Sequence, residues 1–168
     1  VLARRTDLPG EPVKFRIMDK DRLFVILRKH IQICTTVNLE IKHKIRLDKD
    51  EEAMVGATVD PWGEQIAVLC VDRQIRLYDA RTGKQEKTWP FPRKGFHVIP
   101  HHMEYTPDGK YLVMNSNSDL FVYDITKGQP HREPIDRGQP IDALAFSADS
   151  KVFALTTYGG PRIFNTKR

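Results

Sequence analysis

One pattern constrains this chain more than any other: a strand, turn, strand, turn, strand unit that recurs along its 168 residues. Asp60-Pro-Trp-Gly-Glu-Gln-Ile-Ala-Val-Leu-Cys70 runs through Val71-Asp72-Arg73 into Gln74-Ile-Arg-Leu-Tyr-Asp79, and a Thr82-Gly83 turn follows. Thr106-Pro-Asp-Gly-Lys110 leads in the same order through Tyr111-Leu-Val-Met114 and Asn115-Ser-Asn-Ser118 into Asp119-Leu-Phe-Val-Tyr-Asp124, then a Lys127-Gly128 turn. Weaker copies flank these two. Val13–Met18, Leu23–Leu27 and Ile31–Thr35 repeat the order at one end, and Asp142–Ser147, Val152–Leu155 and Arg162–Asn165 at the other. Aligning Thr35, Asp79, Asp124 and Asn165 gives spacings of 44, 45 and 41 residues.

Self-similarity at ~40–45 residues is the period of a blade of four antiparallel strands. The expected fold is therefore all-β: a β-propeller of four-stranded antiparallel blades, with about four blades in this chain. The expected blades are 12–50, 53–91, 97–136 and an incomplete 140–168. Leu23–Leu27 and Ile66–Val71 are continuous apolar runs, as inner strands covered on both faces should be. Glu40–Arg46, Gln85–Trp89 and Pro130–Ile135 are the polar outer strands. Val1–Thr6 stands one repeat earlier at the outer-strand position, and is expected to pair with Arg162–Asn165, completing the last blade and covering an aggregation-prone edge. Three architectures fit: four blades closing alone, two chains completing one ring as a homodimer, or a segment of a larger propeller. The third is preferred.

Two motifs carry a family resemblance. Asp72-Arg-Gln-Ile-Arg-Leu-Tyr-Asp79 is similar to the Asp-Gly-x-Ile-x-Leu-Trp-Asp tract of the WD-repeat superfamily, with Tyr78 at the Trp position. The resemblance implies that Asp72 is the turn Asp of that family's hydrogen-bonded tetrad. Asn117 and Tyr158 stand at the corresponding positions of later blades, and no Gly-His pair opens a blade. Pro107–Ser116 followed by Val122-Tyr-Asp124 resembles the YVTN-type, lactonase-like propellers. Propellers host many unrelated activities, so the resemblance implies architecture and leaves function to the sites.

Composition narrows the classes. With 40% hydrophobic and 29% charged residues the chain is globular rather than a disordered tail. No run approaches the ~18 apolar residues of a membrane-spanning helix, and no membrane partner is expected. Val1-Leu-Ala-Arg-Arg-Thr6 lacks the pattern of a signal peptide, and the missing initiator Met suggests a processed product or an excised segment. Cys34 and Cys70 lie inside apolar strands, where a buried free thiol behaves as a small hydrophobe; with no visible signal peptide, an intracellular location is favoured. A net charge of +5 is weak support for a nucleic-acid partner.

No constellation for chemistry emerges. His97, His101 and His102 lie in one connection, but His101 and His102 would point to opposite faces of a strand. Asp48–Glu52 lacks the spacing of a calcium loop. Asp79 and Asp124 end equivalent strands and read as repeated structure, not as an acid and a base. No metal, cofactor or catalytic residue is expected, and the protein is not expected to be an enzyme. The connections instead collect Arg, Pro and aromatic residues on one face, the composition of interaction hot spots. Arg28, Arg73, Phe91, Arg93, Lys94 and Phe96 are the expected partner-binding residues of a non-catalytic protein-interaction scaffold. Trp62 is expected on the opposite face, unburied by its own hairpin. Two alternatives stay open: a lactonase-like enzyme or cofactor holder using Asn115, Ser116 and Asn117, and a weakly basic nucleic-acid binder.

Overall fold

The computed structural model describes residues 12–17, 20–27, 30–46, 54–91, 102–116, 119–131, 135–136 and 140–165. In chain order the strands are β1 (Pro12–Ile17), β2 (Arg22–Leu27), β3 (His30–Thr35), β4 (Ile41–Arg46), β5 (Met54–Val59), β6 (Gln65–Cys70), β7 (Gln74–Asp79) and β8 (Gln85–Pro90). They continue with β9 (His102–Tyr105), β10 (Tyr111–Ser116), β11 (Asp119–Asp124), β12 (Gln129–Pro130), β13 (Ile135–Asp136), β14 (Ile141–Phe146), β15 (Val152–Thr157) and β16 (Gly160–Asn165). No helix occurs among the described residues. The four equivalent third strands end at Thr35, Asp79, Asp124 and Asn165, as the repeat requires.

Each repeat is one antiparallel meander: β1-β2-β3-β4, β5-β6-β7-β8, β9-β10-β11 with the short β12 and β13, and β14-β15-β16. Even the irregularities repeat. A bulge falls after the first residue or two of β1, β5 and β14, where the partners shift between Pro12 and Lys14, Met54 and Gly56, and Ile141 and Ala143. An extra residue there kinks the strand and strengthens its twist. The expected outer strand Pro130–Ile135 is corrected. β11 is flanked instead by two fragments, Gln129–Pro130 opposite Tyr123 and Asp124, and Ile135–Asp136 opposite Asp119 and Leu120. The second fragment resumes two residues out of step, and Pro130, without an N–H, suits only such an edge. Val1–Thr6 lies outside the described residues.

The chain forms two compact units, up to Pro90 and from Phe91 onward. In the first, Phe24, Ile26, Ile31, Ile33 and Ile45 of one sheet pack against Ala57, Val59, Ile66, Val68, Cys70 and Tyr78 of the next. Each Ile, Val or Phe among them, once fully buried, contributes on the order of 1.5–3 kcal/mol. Cys34 sits on the opposite face of the first sheet with Val25 and Leu27, so the two buried thiols belong to different layers. In the second unit Val113 and Leu120 receive Ile141, Phe153 and Leu155, with Val122, Leu144, Phe146 and Phe164 at the margin.

The recurring Tyr-Asp strand end divides its work by alternation. Tyr78 and Tyr123 are buried, and the Tyr123 hydroxyl donates to the Gly128 carbonyl at 2.7 Å. The next residue points away and caps the turn. Asp79 Oδ1 accepts the N–H groups of Arg81 and Thr82 at 2.8 and 2.7 Å, and Asp124 Oδ1 those of Thr126 and Lys127, both at 3.0 Å. The Thr82 N–H is the main reason the Asp79 carboxyl lies below its ordinary pKa. For Asp124, desolvation pushes upward but is outweighed by the Thr126 and Lys127 hydrogen bonds, and the net shift is downward. Asp149, in the equivalent of the Asp108 turn, is lowered to about 2, first by the Ser147 hydroxyl.

A carboxyl whose folded pKa is depressed stabilises the fold above its unfolded value of ~3.9, and that stability is lost as pH falls through the folded value. Melting temperature should therefore fall between about pH 4 and about pH 2. Substituting Asp79, Asp124 and Asp149 by Asn together should flatten that slope. An unchanged slope in the triple variant would show that other carboxylates control acid unfolding.

Candidate functional site

The best-defined surface element is the three-residue turn Val71-Asp72-Arg73 between β6 and β7. The Arg73 N–H donates to the Cys70 carbonyl at 3.0 Å, and Arg73 itself stands at φ 61°. A three-residue hairpin loop of this kind closes with one left-handed residue, usually Gly. Arg therefore occupies, at a cost of about 1 kcal/mol, the position where the resembling WD-repeat tract carries Gly. The side chain of Arg73 is exposed, and neighbouring Val71 is 55% exposed. Val71 had been read as the end of the buried run Ile66–Val71; the turn lifts it out of the strand.

Asp72 holds the turn rigid. Its Oδ1 accepts the Gln74 N–H at 3.0 Å, and its two oxygens take Arg76 Nη1 and Nη2 at 3.0 and 2.5 Å. Arg76 is buried, and this two-point contact with Asp72 is the leading cause of an upward shift in its pKa. The tetrad role implied for Asp72 is thus filled differently here, with Arg76 on its own sheet as the partner. A bidentate guanidinium–carboxylate pair fixes both groups in one plane, so Val71 and Arg73 are presented on a preorganised loop.

The corresponding turn of the fourth sheet, between β15 and β16, exposes Tyr158. Of the other expected partner-binding residues, Arg28, Arg93, Lys94 and Phe96 lie outside the described residues. Phe91 is not a surface anchor. It is 7% exposed, with its ring 4.9 Å from that of Phe121 and tilted by 57°. Aromatic pairs prefer such tilted contacts, and a ring this covered serves packing. Trp62, in the turn between β5 and β6, is 59% exposed.

The polar residues considered for chemistry are structural where they are described. Asn115 is fully buried, with Nδ2 donating to the Ile141 carbonyl at 2.9 Å and Oδ1 accepting the His102 N–H at 2.7 Å. It ties the third and fourth sheets and, fully buried, does not face a channel. The His102 ring lies 2.7 Å from the Asp142 carbonyl, across the same pair of sheets. A crevice of about 430 Å³ in the second unit is lined by Asp108, Lys110, Tyr111, His131, Asp149 and Lys151, among others. Its two aspartates cap turns: Asp108 Oδ1 accepts the Thr106 hydroxyl and Asp149 Oδ1 the Ser147 hydroxyl, both at 2.7 Å. The His131 ring packs on Tyr111 at 4.6 Å. Among the described residues no group of three or more His, Cys, Asp or Glu is placed to hold a metal.

No family model matches the sequence, and no curated protein matches it. Among solved structures the chain is similar to the crystal structure of the WD40 β-propeller domain of Doa1, with a TM-score of 0.70 at 13% identity. The match covers 92% of this chain and 51% of that one, so the chain spans about half the length of the domain it matches. Four meander repeats, the bulge that three of them share and this match lead to one conclusion: the chain has the fold of a segment of a WD40 β-propeller.

Proposed function

We propose that this protein is a non-catalytic scaffold that binds a protein partner through the connections at the Arg73 end of its blades. The observation that carries the reading is Arg73 itself. An exposed Arg held in the left-handed region, on a turn braced by Asp72 and Arg76, keeps a conformation that Gly would adopt without strain. Such strain is commonly retained where a side chain is used. Preorganisation limits the entropy lost on binding, and Arg is among the residues that dominate hot spots. Val71 adds apolar area beside it, and the sequence expectation that Arg28, Arg93, Lys94 and Phe96 also bind the partner is part of this proposal, although they lie outside the described residues. The four repeats, 12–50, 53–91, 97–136 and 140–168, form the frame that displays them. The WD40 domain it resembles supports the frame and not the partner.

Arg73→Gly separates use from tolerance. The variant should be more stable by about 1 kcal/mol in urea unfolding, because Gly relieves the left-handed strain. Partner capture should nevertheless fall by ~30-fold, the equivalent of about 2 kcal/mol. The measurement is quantitative affinity capture with the parent chain and the variant at matched loading. Equal capture of every protein by the stabilised variant would sink the proposal. Capture of nucleic acid that collapses steeply with salt would replace the protein partner with a phosphate backbone.

A further inference from the structure

We infer that the crevice between the third and fourth sheets is a binding site for a small aromatic carboxylate, held by Lys110 and Lys151 against the rings of Tyr111 and His131. The crevice measures about 430 Å³ and lies between the β9–β10 turn and the β14–β15 turn. Ordinary ligand pockets run to ~300–1,000 Å³. Ser150 fastens the two turns together. Its Oγ accepts the Asp108 N–H at 2.8 Å, and the residue is buried at φ 58°. The equivalent turn positions of the second and third sheets carry glycines, Gly63 at 70° and Gly109 at 64°. A serine in the left-handed region is strained, and such strain persists where the surrounding structure uses the residue. Here the hydroxyl fixes the two lysine-bearing turns against each other.

The first unit spans the same place with a side chain. The pairs Ile17–Leu23 and Tyr105–Leu112 put Arg22 and Tyr111 at equivalent positions. Arg22 Nη1 crosses to the Gly63 carbonyl of the following sheet at 2.9 Å, whereas Tyr111 packs on the His131 ring at 4.6 Å. The His131 N–H donates to the Val122 carbonyl at 2.8 Å and so anchors its residue beside β11. Behind these two rings the lining is apolar, with Val113, Val122, Phe146 and Phe153. The aspartates at the mouth are committed to their own turns. Asp108 Oδ1 accepts the Thr106 hydroxyl and the Lys110 N–H, and Asp149 Oδ1 the Ser147 hydroxyl and the Lys151 N–H. Their Oδ2 atoms meet Lys110 Nζ at 3.8 Å and Lys151 Nζ at 3.1 Å. An ammonium has three donors and no acceptor, so donors are in surplus and the ligand must accept. A carboxylate carried on an aromatic ring does both things the crevice asks: its oxygens take the lysines, and its ring covers the aromatic wall. This site is separate from Arg73, which belongs to the first unit.

The test titrates the full chain with 3-phenylpropionate and follows backbone amide shifts by NMR. Shifts should concentrate in the two turns, 106–111 and 147–151. Propionate keeps the carboxylate without the ring, and 3-phenylpropanol the ring without the charge. Each should bind about tenfold more weakly, a difference of roughly 1.4 kcal/mol. Lys110→Gln combined with Lys151→Gln changes two exposed side chains. It should weaken 3-phenylpropionate by about tenfold or more and leave the melting temperature where it was. Four results would overturn the inference: no shift at these turns, propionate binding as well as 3-phenylpropionate, 3-phenylpropanol doing so, or full affinity in the double variant. The second of these would mark a bare anion site with no use for the rings.

Discussion

Replacing Asn115 by Ala is expected to lower the unfolding free energy by about 3 kcal/mol. The side chain is fully buried and satisfies two backbone groups of different strands, the His102 N–H and the Ile141 carbonyl. Truncation leaves a donor and an acceptor unpaired, each worth roughly 1–3 kcal/mol when buried, and a small cavity besides. Asn115→Asp gives a sharper signature. Its carboxylate would still accept the His102 N–H but would face the Ile141 carbonyl without a proton to donate. Burial raises the folded pKa of such a group, so the loss should be largest near neutral pH and fade as the carboxyl protonates. Urea unfolding at two pH values checks both variants. A loss under about 1 kcal/mol for the Ala variant would show that Asn115 does not bind these two sheets together.

The second large effect lies in the turn that presents Arg73. Asp72→Ala removes the two carboxylate contacts of the buried Arg76 guanidinium, together with the acceptor of the Gln74 N–H. Removing the carboxylate that neutralises a buried guanidinium costs about 3 kcal/mol. Asp72→Ala combined with Arg76→Leu should recover at least half of that loss, because removing both ions is far milder than removing one. A double-mutant cycle in urea isolates the coupling. Additive losses would mean that Arg76 does not depend on Asp72, and that the turn is held in some other way. The double variant also bears on function. If its turn loosens while the fold survives, partner capture should weaken even though Arg73 is still present.

The strand order was legible because period-2 alternation and turn chemistry act locally. Asp79 and Asp124 were legible as a repeated structural feature ending equivalent strands, and in the structure each caps the turn that follows while the tyrosine before it is buried. The outer strand of the third blade was misread because Gln129-Pro-His-Arg-Glu-Pro-Ile-Asp136 has strand-like polarity, whereas pairing depends on which N–H groups reach β11. Val71 was misread for a related reason. It extends an apolar run without a break, and only the three-residue turn, closed by the left-handed Arg73, places it outside. The cue was present in the WD-like tract, where Arg73 replaces Gly.

Phe91 shows where local reading stops. Its flanking prolines and basic neighbours describe a presented loop equally well whether the ring faces solvent or Phe121, and the 4.9 Å ring contact decides it. Asn115 is the counterpart: a polar residue that fits a channel mouth in sequence is, in three dimensions, the tie between two sheets. The sequence by itself determined the repeat, its all-β character and the turns, since each follows from residues a few positions apart. Which faces are covered and which polar groups find partners were decided by the tertiary structure. Those outcomes depend on contacts between sheets about 40 residues apart, whose geometry no local pattern encodes.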